Sequence, residues 1–295
     1  NAKATVMDRD SVISADATMA GDGGKVILWS DEYTGFYGDI SAQGGSVSGN
    51  GGFVETSSKI NLQAMGAVTA SAANGQGGLW LLDPSNVSIQ NNNQHGSFDG
   101  GSPDVFTPDG TNPNARVDHN DIETALNGGT SVTILTTSTE TAPGNITMAS
   151  AIAKTAGGDA TLTLIAAGDI TIGQNISSGV GELNVVLGAV GVVTVSSAIT
   201  TNGGDLTIQG SNPAGGALAV SAGSVSLGAA INTGSGNLSI NVAGGVNQTA
   251  GSLIIGGETS VTATGFDVTL GQAGNNFAGA VNVSGANVTL VDANA

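Results

Sequence analysis

The chain has 295 residues, 48 of them glycine, and 23 acids against six bases give it a net charge of −17. That balance argues against nucleic acid, which needs clustered Lys or Arg to neutralise phosphates, and disfavours an anionic membrane surface. No apolar run approaches the ~20 residues that insert across a membrane, and the absence of cysteine rules out a disulfide scaffold.

What remains is Ala, Ser, Thr, Asn, Val, Ile and Leu, residues of short strands and tight turns, while strong helix formers are scarce. An all-β chain with a thin aliphatic core is expected. The start, NAKATVMDRDSV, lacks the basic and apolar regions of a signal peptide.

Residues 1–89 carry long, glycine-punctuated units beginning GGKVILW at 23, GGFVETS at 51 and GGLWLLD at 77. They read as wide coils of a solenoid. Trp29 and Trp80 each follow such a glycine pair, which places both in the core or at a coil edge; stacking on sugar would require them exposed.

Residues 90–130 break the pattern and read as a side insertion of loop and short helix. Asn120 and Glu123 have capping-box spacing, Ile122 and Leu126 share a helical face, and Gly128 follows as a stop, predicting two turns of helix near 121–127.

Residues 131–295 resume as regular short coils, expected to continue beyond Ala295. Apolar residues recur at x, x+2 and x+6: Ile146/Met148/Ile152, Ile170/Ile172/Ile176, Val193/Val195/Ile199 and Val225/Leu227/Ile231. A second pair follows each: Leu162/Leu164, Leu183/Val185, Leu206/Ile208 and Leu238/Ile240. In the last three repeats it starts 13 residues after the first, while the repeats themselves begin 24, 23 and 32 residues apart. Variation is therefore assigned to one connection.

Period-two pairs mark strands with one buried face, and Gly-rich clusters at 157–159, 179–182, 202–205 and 234–237 mark corners. One period cannot bury its apolar face alone, but stacked periods bury all of them. The expected fold is a right-handed parallel β-helix, right-handedness being the preference of parallel crossovers. A β-sandwich would also have many short strands, yet it has no need for one spacing to return four times.

Several ordered stretches carry a resemblance. GGKVILWSDEYTGFYGDISAQGG, GNGGFVETSSK, GLWLLDPSNVSI and DIETALNGGTSVTILTT resemble the β-helical part of filamentous-haemagglutinin-like exoproteins of bacterial two-partner secretion systems, and GNNFAGAVNVSGANVTLVDAN is similar to repeats further along such proteins. The resemblance implies a secreted or cell-surface adhesin that attaches to polysaccharide or to a host or bacterial surface receptor. It also implies export through an outer-membrane transporter partner, recognised by a region not present in this chain. A chain without disulfides suits that route, since it can pass a pore unfolded and add coils one at a time.

Two other function classes stand beside a structural or adhesive shaft: a carbohydrate-active β-helix enzyme, such as a polysaccharide lyase, and a secreted host-carrier-binding protein. Against the enzyme, the bases Lys25, Lys59 and Arg116 are far apart in sequence, and after Lys154 no Lys or Arg follows. No complete nucleophile elbow, P-loop, dinucleotide fingerprint or zinc spacing occurs. No catalytic residue and no cofactor are expected.

If any segment makes a specific contact, the insertion is the candidate, because loops projecting from a rigid scaffold often carry recognition. It gathers Asp99, Asp104, Asp109, Asp118, Asp121 and Glu123 around Arg116, carboxylates suited to sugar hydroxyls or a bridging calcium ion. The plainer reading makes Asp118 and Asp121 acids at a helix N-terminus, where the dipole favours them, leaves His119 solvated, and uses the helix to cover an apolar edge. Seven Asn-x-Ser/Thr triplets, at Asn86, Asn145, Asn175, Asn237, Asn247, Asn282 and Asn287, permit glycosylation or form ladders between strands.

Overall fold

The computed structural model describes residues 2–91, 115–138, 142–210 and 223–294, and the backbone of two short antiparallel strands, Gly96–Phe98 and Phe106–Pro108. It is nearly all β and divides into two compact units, Asn1–Pro143 and Gly144–Ala295. In each, parallel strands of successive coils stack into three sheets, the arrangement of a parallel β-helix.

The second unit follows the apolar pattern closely. In the first sheet Ile146, Ile170, Val193, Val225, Val246, Val268 and Val288 are in register, coil upon coil. Met148, Ile172, Val195 and Leu227 form the column beside them. Ile152, Ile176, Ile199, Ile231 and Leu253 do the same in the third sheet. All but the terminal Val288 are at most 2% exposed. Each side chain so placed contributes ~1.5–3 kcal/mol of burial, repeated at every rung of ~4.8 Å.

The second apolar pairs need one correction. Val185 and Leu187, not Leu183 and Val185, stand opposite Leu162 and Leu164 on one side and Leu206 and Ile208 on the other; Leu183 pairs with Ala160. The corner after Ile176–Ser178 is two residues longer than the one after Ile199–Thr200, so length varies at more than one connection. A shift of two keeps every side chain on its face, which is why the apolar pattern alone did not reveal it. The 32-residue interval contains residues 211–222, outside the described residues.

The corners between the third and second sheets close by a recurring device. Ser178 Oγ donates to the Gly181 carbonyl at 2.8 Å, Thr201 Oγ1 to Gly204, and Thr233 Oγ1 to Gly236 at 2.7 Å. Lys154, in register with Ser178 and fully buried, performs the task with an ammonium that reaches the carbonyls of Ala156 (2.8 Å), Gly157 (3.4 Å) and Val180 (2.5 Å). These turns require left-handed backbone, supplied by Gly181 at φ +69° and by Asn202 at +55°, residue types that tolerate it. A second ladder runs outside: Asn184, Asp205 and Asn237 each accept the backbone N–H of the next coil, from Asp205, Asn237 and Glu258, at 2.7–2.9 Å.

The first unit has wider coils. Its second sheet stacks Lys25–Ser30, Phe53–Ser58, Leu79–Leu82 and Ser131–Leu135 in that order, and its third stacks Val12–Ser14, Asp39–Ser41 and Ala67–Thr69. The first sheet runs Ala4–Met7, Tyr33–Phe36, Asn61–Ala64, Ala115–Asp118, Val87–Gln90. Two strands are thus out of chain order. The region expected as a side insertion therefore ends inside the ladder: Val117 pairs with Ala64 on one edge and with Ile89 on the other. Helix α1 (His119–Asn127) then packs Ile122, Ala125 and Leu126, all at most 1% exposed, against Ala67–Thr69 and Ser131–Leu135. It covers the open edge of the third sheet, and Thr130 Oγ1 accepts the Ala70 N–H at 2.9 Å.

Candidate functional site

The structure places four of the proposed binding residues. Arg116 stands mid-strand between Gln63 and Ser88. Asp118 is 5% exposed and is the N-cap of α1, its carboxylate accepting from Asn120 N at 3.0 Å and Asn120 Nδ2 at 2.9 Å. The helix thus starts at His119, before the expected Asn120 cap, because Asp118 accepts the Asn120 N–H, one of the free donors of the first turn. The acidic reading of this terminus holds, and Asp121 lies in the first turn. Asp99, Asp104 and Asp109 lie outside the described residues, as does His95.

His119 is not solvated as expected. Its side chain is 16% exposed, with Nδ1 3.5 Å from Glu123 Oε1 and Nε2 2.5 Å from Asn91 Oδ1. Asp121 has its pKa pushed up to about 7, first by burial and then by the charges of Asp118 and Asp39. Asp83 is raised to about 6 by burial and by Glu55, and its Oδ1 has no hydrogen-bond partner. Among the described residues no group of three or more His, Asp or Glu is arranged to hold a metal ion.

A second surface went unrecognised in the sequence. The outward face of the first unit's second sheet carries a column Lys25–Phe53–Leu79–Ser131 beside a column Ile27–Glu55–Leu81–Thr133, with Trp29 next to Ser57. Ile27 is 49% exposed, and Trp29, Phe53, Leu79 and Leu81 are half-buried. The corresponding face of the second unit reads Thr163, Val186, Thr207, Ser239, Ser260, Asn282. Apolar side chains left facing water on one sheet need a reason when the same position elsewhere is mostly polar.

Two of the chain's six bases flank these rings: Lys25 Nζ lies 4.9 Å from the Phe53 ring centre, and Lys59 Nζ lies 5.3 Å from that of Trp29. Lys59 also bonds Asp31 at 2.6 Å, and that hydrogen bond holds the partly exposed Asp31 carboxyl below its usual pKa. Beside the Lys25 column opens a shallow groove of about 450 Å³, floored by the glycine pairs 23–24, 51–52 and 77–78 and edged by Asp22. Stacking demands those glycines: a Cβ on Gly52 would lie 2.1 Å from the Gly24 carbonyl, and one on Gly78 2.1 Å from that of Gly52. The groove is a consequence of the closure.

The two tryptophans separate cleanly. Trp80 is fully buried, donates Nε1–H to Thr56 Oγ1 at 3.0 Å and meets Phe36 edge to face at 6.2 Å, whereas Trp29 faces out. The glycine pairs carried the signal: Trp29 is five residues after Gly24 and Trp80 two after Gly78, opposite parities on a strand of period two.

Of the glycosylation triplets, Asn237, Asn282 and Asn287 engage their amide nitrogens with Asp205, Glu258 and Asp267 at 3.0, 2.8 and 2.7 Å. Asn145 and Asn175 accept backbone N–H groups of the next coil. Asn247 is exposed on a strand of the first sheet.

Comparison with known proteins adds one finding. Residues 215–284 match a family described as repeats of unknown function (DUF5649), and the described part of that segment, 223–284, lies within the regular coils of the second unit. No curated protein matches the chain.

Proposed function

We propose that this chain is part of the shaft of a secreted bacterial surface adhesin, and that the outward face around Trp29 and Phe53 attaches it to a neutral polysaccharide. The face carries the reading. Half-exposed rings offer stacking surfaces for the C–H faces of sugars. Lys25, Lys59, Glu55 and Asp22 stand beside them as hydrogen-bonding partners. A net charge of −17 disfavours polyanions, so a neutral polymer fits best.

The repeat architecture supports the shaft, since stacked coils display one surface over many rungs. Attachment in place of catalysis is favoured because several described carboxylates have structural roles: Asp118 caps α1, Asp205 bridges coils and Asp31 pairs with Lys59. Export through an outer-membrane transporter partner remains part of the proposal on the strength of the motif resemblance. A glycan array run together with polysaccharide-cleavage assays tests the reading. Binding to neutral glycans without release of reducing ends or unsaturated sugars is expected, whereas release at catalytic rates would make this β-helix an enzyme.

A further inference from the structure

The first unit contains a rung that the chain skips and later fills. Leaving the strand Leu79–Leu82, the chain does not pair Val87–Gln90 with Asn61–Ala64, whose edge is the next one open. It places that strand one rung beyond, and Ala115–Asp118 occupies the gap between them.

The connection does not force the skip. Between residues equivalent in register, Ile27 to Gly35 and Glu55 to Gln63 each span eight positions, and Leu81 to Ser88 spans seven. The link therefore adds no reach, and nothing in its length directs Val87–Gln90 past the nearer rung. It carries a half-buried carboxylate, Asp83, whose Oδ1 has no hydrogen-bond partner, and it is tied down by Ser85 Oγ donating to the Ile60 carbonyl at 3.0 Å.

The two strands are interchangeable in pattern. Val87 and Ile89 point inward, as do Ala115 and Val117, all at most 3% exposed, and they lie in register two by two. Either can present a correct apolar face to Asn61–Ala64. Only Ala115–Asp118 brings α1 behind it, whose Ile122 and Leu126 cover the edge of Ala67–Thr69.

We infer that Ala115–Asp118 is a late-inserting strand. In a chain folding from its N-terminus, Val87–Gln90 first takes the rung beside Asn61–Ala64 and is displaced outward by one rung when Ala115–Asp118 arrives and α1 docks. Insertion pairs both edges of the new strand and buries the apolar face of the helix, which gives the exchange its direction. The first unit is thus complete only once residues up to Leu135 are available. The second unit has no such requirement, because its strands stack in chain order in every sheet.

The chain has no cysteine, so engineered pairs report rung occupancy directly. Neighbouring parallel residues sit ~5 Å apart, within disulfide reach, while residues two rungs apart do not. The full chain carrying Gln63→Cys with Ser88→Cys, or Gln63→Cys with Arg116→Cys, is refolded from denaturant with pulsed oxidation, with Thr69→Cys and Ser88→Cys as the background pair. The 63–88 link should appear early and give way to the 63–116 link, which alone persists at equilibrium. In a full chain also carrying Leu126→Asp, which prevents docking of α1, the 63–88 link should persist. A 63–88 link that never rises above background during refolding overturns the inference, as does a Leu126→Asp chain that forms the 63–116 link alone.

Discussion

Ile172 and Val195 lie in register on adjacent coils, both fully buried, with Leu227 next in the column. A carboxylate at Val195 would meet aliphatic side chains above and below and no partner, at a desolvation cost that exceeds what one rung contributes. Val195→Asp should therefore unfold several coils of the second unit, read as lost cooperative CD signal or early proteolysis. Thr194→Asp, on the outward face, should change stability by less than ~0.5 kcal/mol. Equal tolerance of the two would refute the register.

Lys154 makes a second test, because the same corner is served by hydroxyls in later coils. Burial lowers the pKa of its ammonium, yet three carbonyls depend on it. Lys154→Ala should destabilise by about 1–3 kcal/mol, the cost of stranding buried acceptors. Lys154→Thr should recover part of that loss by donating to Gly157 as Ser178 donates to Gly181. Chemical denaturation of the two variants decides it: Thr no better than Ala would show that the corner does not depend on the donor.

The first unit should become more stable as pH falls from 8 toward 5. Asp121, raised to about 7, and Asp83, raised to about 6, bind protons in the folded state over a window in which the unfolded chain, near 3.8, does not. Linkage then makes stability fall as pH rises through that window. For Asp121 the effect is on the order of 1–2 kcal/mol, a few degrees in Tm. Asp121→Asn should flatten the profile between pH 5 and 8 and raise Tm at pH 8; an unchanged slope would place the titration elsewhere.

The elements that were legible and those that were not differ for physical reasons. The column through Met148, Ile172, Val195 and Leu227 was readable because one buried face imposes a period of two, and stacking repeats it. The offset of Leu183 was invisible because a two-residue slip preserves parity. Ala115 and Val117 are only two apolar residues in a polar stretch, and their partners Ala64 and Ile89 are distant in sequence, so nothing local marked a strand there. The helix was foreseen from Ile122, Leu126 and Gly128, but its cap was misplaced because Asp118, Asn120 and Asp121 are all competent capping types. The face around Trp29 was missed because both parities of KVILW are apolar; only the count from Gly24 separates in from out.

The most direct test of the proposed attachment surface is an affinity measurement on an immobilised neutral polysaccharide selected by the glycan array, comparing the native chain with Trp29→Ala/Phe53→Ala. Both side chains face outward, so the melting temperature should hold within a few degrees while affinity falls at least tenfold, about 1.4 kcal/mol. Thr163→Ala/Thr207→Ala, on the corresponding face of the second unit, should bind as the native chain does. Undiminished binding by the Trp29/Phe53 variant would contradict the account and move the contact off this face.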